Sequence, residues 1–477
     1  MTSKAATQAK WVTTLGGIRY SLGNLLGQGG QGKVFTVRGS PYAVKLLRHR
    51  SDQARQALQE RLMMVGRLPL EDLAVARPLE PLRPPHLGYV MELFTGMVPL
   101  HTLIRPPKGG ESLMRWYFDG GGLRRRLRLL AKVADIFARL HGRGLVYTDP
   151  SPQNLFVSAD PTAHEVRLID TDNVRVSADG GPALYTPGYG APEVLSGARL
   201  PNSLSDAHAF AVIAFETLAL IHPLKGGDRI ENGAPELEEQ ALRGERPWID
   251  DPNDDWNRSS LGIPRPFVLS RHLADAFAQA FSAGLKNPLA RPGVSRWAEH
   301  LHRAADNTII CSGCGGSYYA SHNTCPWCAE PRPTFVRAFC TLWDPERLAS
   351  TDSGMTQAVD PGFVLDATGS MGKAHQIIDS MTLGERDPVI ATDRFTLGTN
   401  RGEPQLHLHF AGESIQIEVL KPGTWILRTK DGRGDHSLAT GETIPLRDSR
   451  RDWRLHANTP DYLHRVIQFR LIPGASR

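Results

Sequence analysis

Five cysteines in 477 residues are too few for a disulfide scaffold. No apolar run is long enough to cross a bilayer. The longest, Ala207 to Ile221, is interrupted by His208 and Glu216 and is too short to span. The opening Met-Thr-Ser-Lys-Ala-Ala has no hydrophobic segment of the kind a signal peptide needs. With 40% hydrophobic and 22% charged residues the composition is that of a globular protein. The expectation is a cytoplasmic, reducing setting with no membrane partner and with thiols free to bind metal. The length allows two to four domains.

The formal charge of +5 is unevenly placed: residues 1–148 hold 23 Lys and Arg against 9 Asp and Glu, which leaves the remainder net negative. Part of that excess is Arg124-Arg-Arg126 and Arg128. They lie on a stretch whose Leu123, Leu127, Leu130, Val133, Phe137 and Leu140 repeat with helical period. The arginines read as the solvated face of this helix, and they do not by themselves argue for nucleic acid.

What the chain does have is a set of phosphate-handling motifs. Residues 141–154 carry Asp149-Pro-Ser-Pro-Gln-Asn154, followed by apolar Leu155-Phe-Val157. An acid can orient the proton of an attacking hydroxyl, and an asparagine one loop further can hold a metal against a triphosphate. Asp-Pro before polar residues is equally an ordinary turn, so the pair needs company. Upstream, Gly27-Gln-Gly29-Gly-Gln-Gly32-Lys-Val34 fits G-x-G-x-x-G-x-V. Such glycines admit phosphate to backbone N–H groups. The same spacing opens a dinucleotide fold, and Asp52 stands where that reading wants an acid. However, strand-like sequence on both sides (Tyr20–Leu26 and Val34–Val37) favours a hairpin flap. Tyr42-Ala-Val-Lys45-Leu-Leu47 places a lysine inside an apolar strand. Glu60 is the only acid past the cap of the helix expected from Ser51 to Leu68, which makes it the candidate partner of that lysine. Val166-Arg-Leu-Ile-Asp170-Thr-Asp172 is a strand ending in an acid that can bridge metal to phosphates.

This ordered set, continued by Tyr185-Thr186-Pro-Gly-Tyr189-Gly-Ala191-Pro192-Glu193, Asp206 and Asn287-Pro-Leu-Ala-Arg291, resembles the protein kinase superfamily over roughly residues 15–305. The resemblance implies a bilobal α+β fold, with a small lobe to about residue 95 and a large lobe from about 96 to 305. It further implies that Gly27, Gly29, Gly32 and Val34 cover ATP, that Lys45 pairs with Glu60, and that Met91 and Glu92 receive adenine as gatekeeper and first hinge residue. Asp149 is then the catalytic base, with Asn154 and Asp170 as Mg²⁺ ligands. Glu193 and Arg291 form a structural ion pair, and Asp206 braces the catalytic loop. Several departures stand out. Tyr147-Thr148 replace the usual His-Arg, Ser151 replaces the lysine that contacts the γ-phosphate, and Thr171 and Asp172 replace Phe and Gly. The Asp-Thr-Asp pattern looks like a bacterial kinase subgroup found beside phosphatase and von Willebrand A-type partners in stress gene sets.

The expected function is ATP- and Mg²⁺-dependent transfer to Ser or Thr hydroxyls of a protein substrate, in signalling or stress regulation. Two alternatives stay open: a nucleotide-binding pseudokinase scaffold, and an adaptor acting through its C-terminal domains. With Thr148 in place of the arginine that pairs an activation-loop phosphate, control by partner docking is expected in place of phosphorylation at Ser177, Tyr185, Thr186 or Tyr189.

Cys311-Ser-Gly-Cys314 and Cys325-Pro-Trp-Cys328 form two knuckles with ten residues between them, the spacing of a closed, structural Zn²⁺ site with four thiolate ligands. This resembles a short zinc ribbon over 308–331, suited to docking a protein; nucleic acid is a less favoured partner. Residues 341–359 read as a linker. Residues 360–477 alternate over Leu406–Phe410, Ile415–Val419 and Val466–Leu471, which predicts a C-terminal β-sandwich-like interaction domain. Leu438–Leu446 within it is similar to forkhead-associated domains, which read phosphothreonine, but it lacks a convincing phosphate-binding set. Residues 225–262 read as a surface insertion or a docking loop.

Overall fold

The computed structural model describes residues 11–30, 32–48, 51–106, 112–176, 185–345, 377–429, 435–446 and 453–475. The chain divides into two compact units, residues 1–121 with 125–301, and residues 122–124 with 302–477.

The first unit opens with an antiparallel sheet in the order β1-β2-β3-β4-β6-β5. Its strands are β1 (Trp11–Thr13), β2 (Arg19–Gln28), β3 (Gly32–Val37), β4 (Tyr42–Leu47), β5 (Glu80–Pro81) and β6 (Gly88–Glu92). β2 and β3 are the expected hairpin around the glycines, with Gly27 opposite Val34 and Val34 in turn opposite Lys45. Gly88, which the sequence reading passed over, is required here. Its φ is +150°, and a Cβ would sit 2.0 Å from the Lys45 carbonyl oxygen, so only glycine lets β6 lie against β4 at this point. Helix α1 (Asp52–Val65) is capped by the Ser51 side chain, which accepts from the Ala54 N–H at 3.2 Å. It buries only Leu62 and Val65, a shallow seat.

The rest of the first unit is mainly helical. Strand β7 (Met97–Pro99) leads to helices α2 (Leu113–Asp119) and α3 (Gly122–Gly142). The short strands β8 (Leu145–Val146), β9 (Leu155–Ser158), β10 (Val166–Leu168) and β11 (Arg175–Val176) come after them. The apolar helix α5 (Ser203–Ala219) follows α4 (Pro192–Leu195). It is buried from Ser205 to its end and starts in a capping box formed by Asn202 and Ser205. The segment 225–262, read as a surface insertion or a docking loop, is ordered and packed into the first unit. It contains helices α6 (Asp228–Glu231) and α7 (Pro235–Leu242), and its Trp248 is buried against Phe215 and Phe281 at ring-centroid distances of 5.7 and 5.5 Å.

The arginine run corrects the solvated-face reading, because Arg124, Arg125 and Arg126 are all buried. Arg126 is 0% exposed. Its guanidinium donates to the carbonyls of Tyr117 and Leu103, both at 3.1 Å, and lies 3.9 Å from the Tyr117 ring centroid. Arg125 donates to the Ser158, Gly120 and Ala163 carbonyls. Periodicity puts these side chains off the helix's apolar stripe. The chain around them supplies backbone acceptors, so long guanidinium stems are buried with their terminal nitrogens on oxygen acceptors. Arg126→Ala should therefore leave carbonyls unsatisfied beside a cavity. The expected loss is about 2–5 kcal/mol in denaturant unfolding of the full chain; a change within about 0.5 kcal/mol would contradict this role.

In the second unit, β12 (Thr308–Ile310) and β13 (Ser317–Tyr319) form a small hairpin beside the cysteines. Two sheets follow. One has the order β15-β14-β23-β22-β19-β20, from β14 (Phe335–Trp343), β15 (Ile377–Gly384), β19 (Ile426–Arg428), β20 (His436–Ser437), β22 (Arg454–His456) and β23 (His464–Ile472). The other runs β16-β17-β18-β21, from β16 (Val389–Thr392), β17 (Pro404–Ala411), β18 (Ser414–Val419) and β21 (Glu442–Pro445). Both contribute to one core, in which Val336, Cys340 and Ile467 meet Leu406, Phe410 and Ile415. The expected alternating strands are thus present. β14, however, begins 25 residues before the expected domain start at 360 and takes up the beginning of the expected linker. Residues 346–359 of that linker and the first part of the tail to 376 lie outside the described residues. Within this unit Arg124 donates to the Thr308 hydroxyl and carbonyl, at 2.7 and 2.6 Å, and pairs with Asp387.

Candidate active site and metal centre

The segment between β8 and β9, the expected catalytic loop, is held by Asp206, the fully buried fourth residue of α5. Its carboxylate accepts from the backbone N–H groups of Tyr147 and Thr148 at 2.8 and 3.0 Å, and it meets His141 Nε2 at 3.0 Å. Thr148 takes φ +78°, a left-handed turn uncommon for a branched residue, and this reverses the chain just before Asp149. Asp149 is half-buried. Its Oδ1 accepts from the Thr186 hydroxyl at 2.7 Å, and its backbone carbonyl accepts from Asn154 Nδ2 at 3.0 Å. Burial pushes the Asp149 carboxyl above the usual carboxylate range. Thr186 works against this, while the charges of Asp170 and Asp206 reinforce it. A carboxylate so placed is a stronger base than an exposed one. Ser151, where the resemblance wants a lysine, is buried, and its hydroxyl meets no hydrogen-bond partner among the described residues.

On β4, Lys45 is 3% exposed, and its ammonium bridges two carboxylates, Asp172 Oδ1 at 2.8 Å and Asp170 Oδ1 at 3.1 Å. Burial alone would lower the Lys45 pKa; Asp172 and then Asp170 more than offset it, and the net shift is upward. Asp170 has φ +56°, a left-handed conformation that aspartate tolerates, and it starts a 3₁₀ turn over Thr171–Asn173. The expected Lys45–Glu60 pair is absent. Glu60 stands exposed on α1 and accepts from Gln56 Nε2 at 3.0 Å. The next residue, Arg61, is the one that reaches the site, donating to Asn173 Oδ1. The reason is helix phase: α1 seats on Leu62 and Val65, and that face turns Arg61 inward and Glu60 to solvent. Asp172 is the residue that sequence reasoning missed. Its signal was present, a second acid two positions past the expected metal acid.

Among the described residues, a Cβ at Gly27 or Gly29 would meet nothing within 4 Å, whereas one at Gly32 would lie 2.2 Å from the Leu46 carbonyl oxygen. Gly32 is thus needed by the sheet, and the other two are not needed by the fold. Met91 is half-buried and Glu92 exposed at the end of β6, and the N–H of Leu93 bonds to the Pro41 carbonyl. Arg291 clamps Glu193 with two hydrogen bonds, at 2.7 and 2.8 Å.

The sulfurs of Cys311, Cys314, Cys325 and Cys328 all lie within 4.8 Å of one another. Cys311 and Cys328 are 3.5 Å apart, and Cys314 and Cys325 are 3.7 Å apart. A tetrahedral zinc with Zn–S bonds of about 2.3 Å spaces its sulfurs by roughly 3.8 Å, so the four thiols fit that ion. No helix among the described residues is long and apolar enough to cross a membrane.

A family model described as the protein kinase domain matches residues 20–260, just over half of the chain. The chain belongs to the protein kinase family. Among curated proteins this kinase is similar to the serine/threonine-protein kinase pkn2 of Myxococcus xanthus, 29% identical over 219 residues that cover 42% of this chain and 24% of that one. It is similar to protein kinase YegI of Escherichia coli K12, 26% identical over 344 residues that cover 68% and 50%. Mouse serine/threonine-protein kinase H1 is 25% identical over 304 residues, covering 61% and 66%. The chain thus spans from about a quarter to two thirds of the length of these relatives.

Proposed function

We propose that the chain transfers the γ-phosphoryl group of ATP to serine or threonine hydroxyls of a protein substrate. The observation that carries this reading is a base-like carboxylate, Asp149, close enough to a buried lysine–carboxylate cluster, Lys45 with Asp170, for the Asp170 charge to act on it. Asp149 would orient and accept the proton of the incoming hydroxyl. Lys45 would hold the phosphates. Gly27, Gly29 and Gly32 would bring backbone N–H groups over them, with Val34, Met91 and Glu92 around the adenine. Asn154 and Asp170 would hold magnesium, which when bound neutralises charge on the phosphates. Thr186, already on Asp149, lies where a substrate hydroxyl would compete for the same oxygen. A zinc ion on the four cysteines would be structural, and the β-sandwich would serve protein docking, with control from a partner.

The decisive experiment uses labelled ATP and magnesium, reading self-phosphorylation and transfer to co-purifying proteins, with Asp149→Asn beside it. Transfer lost in that variant supports the reading. Nucleotide binding with no transfer in the wild type points to the pseudokinase alternative, for which Ser151 in the place of a lysine that contacts the γ-phosphate is the motive. Two further outcomes are expected. Gly29→Ala should leave the unfolding midpoint unchanged while raising the KM for ATP about tenfold, because its new methyl meets no protein atom, only the space phosphates would need. Phosphatase treatment should change activity less than about tenfold. Thr148 here donates its hydroxyl to the Asn173 carbonyl at 3.1 Å and offers no cation to a loop phosphate. A larger fall would restore phosphate control. Ser177, one of the sites excluded by this prediction, lies outside the described residues.

A further inference from the structure

We propose that Asp172, and not an acid of helix α1, is the positioning carboxylate of Lys45, so that the lysine and the metal acid are set by one turn of chain. The proposal rests on the phosphoryl-transfer reading of the same site and identifies its missing part. A strand lysine that is to hold phosphates must be fixed by a carboxylate, because a buried unpaired ammonium is costly and mobile. In this chain the shortest contact of Lys45 is to Asp172, at 2.8 Å, and Asp172 is itself buried. The same Oδ1 accepts from the Tyr89 hydroxyl at 3.0 Å, and Tyr89 lies directly opposite Lys45 in the β4–β6 ladder. The carboxylate is thus held from the sheet side before any nucleotide arrives.

The turn that carries it is pinned at each neighbouring residue. The Thr171 hydroxyl donates to the Ala76 carbonyl, the Asn173 carbonyl accepts from Thr148, and the Asn173 side chain accepts from Arg61. The residues that fill the corresponding places in most of the family, Phe and Gly, have neither a carboxylate nor these hydrogen bonds. Helix α1, in contrast, is turned the wrong way for the family's arrangement. Bringing Glu60 inward needs a rotation of about 100°, one residue of helix, and that would withdraw Arg61 from Asn173 and lift Leu62 and Val65 from their seat. The charged and titratable groups that face Lys45 are Asp170 and Asp172 from the turn and Tyr89 from β6, with Arg61 from α1 acting on Asp172. The lysine is therefore held by the turn and by β6, and α1 contributes to it through Arg61 and not through an acid.

The test uses the full chain as wild type, Glu60→Gln, Asp172→Asn and Asp172→Glu. Two readouts are taken: steady-state transfer from Mg-ATP, resolved into kcat and KM, and the rate at which an amine-directed acyl reagent labels Lys45 at one fixed pH, read by mass spectrometry. Asp172→Asn keeps the shape and the Tyr89 contact but removes the charge. It should lower kcat/KM by about tenfold to a hundredfold and raise the Lys45 labelling rate, because the ammonium loses its shortest ion pair. Glu60→Gln should stay within about twofold of wild type in both readouts, and Asp172→Glu should recover part of the loss. Circular dichroism melts report whether each variant is folded. Wild-type labelling of Lys45 in Asp172→Asn, or a Glu60→Gln defect equal to that of Asp172→Asn, would overturn the proposal. A wild-type chain that transfers no phosphate would instead defeat the phosphoryl-transfer reading, and the labelling rates would still decide between the two acids.

Discussion

Asp149→Asn is expected to reduce kcat by about a hundredfold to ten-thousandfold and to leave the KM for ATP within about twofold. The substitution keeps the size of the side chain and its contact with Thr186, and the Asn154 hydrogen bond goes to the backbone carbonyl, which does not change. What is lost is a carboxylate able to take a proton. The pH dependence of the wild type gives a second check on the same group. Burial holds the Asp149 carboxyl above the usual carboxylate range. Because the base must be deprotonated to act, activity should fall as pH drops through that raised value, at a higher pH than an exposed aspartate would give. A profile flat down to the ordinary carboxylate range, or a variant with near-normal turnover, would remove Asp149 from its role.

The other large effect concerns zinc. Prepared without chelator, the protein is expected to carry about one zinc per chain, and Cys311→Ser or Cys328→Ser should lose it. The hairpin of β12 and β13 has only a small core, shared with Phe335 of β14: Ile309, Tyr318, Ala320 and Phe335 cluster with the buried Cys311 and Cys325. So little apolar area cannot offset the ordering of this segment. A structural zinc of this type contributes roughly 10–16 kcal/mol of apparent binding energy at neutral pH. Metal loss should therefore open residues 308–331 to protease well below the melting temperature of the kinase unit. Metal analysis and limited proteolysis measure this; zinc-free protein with an intact, resistant segment, or cross-linked thiols, would refute the site.

The parts of the site that could be read from sequence are those whose meaning is local. The glycine hairpin, the strand bearing Lys45, the loop from Asp149 to Asn154 and the cysteine knuckles each fit within a short stretch of chain, and hydrogen bonding along that stretch fixes them. The lysine's partner was misread because Glu60 was reached by elimination within one helix. Which side of α1 faces inward is decided by the seat of Leu62 and Val65, and a carboxylate on a distant turn was already available. The arginine run was misread for a related reason. A polar helix face is solvated unless other segments bring acceptors to it, and the carbonyls of Leu103, Tyr117 and Ser158 do so here. β14 was missed because Phe335–Trp343 is apolar on nearly every residue, so it shows no alternation to mark it as a strand.

β14 pairs with β23 at nine successive positions, from Phe335 opposite Ile472 to Trp343 opposite His464. The middle of that sheet thus joins segments more than a hundred residues apart. During synthesis β14 can pair with β15 soon after it emerges, but its other neighbour, β23, follows more than a hundred residues after it. One edge of β14 must wait, apolar and unsatisfied, until β23 is made, whereas the kinase unit can fold as soon as its own sequence has emerged. The first unit is thereby complete while the second still presents an open strand edge.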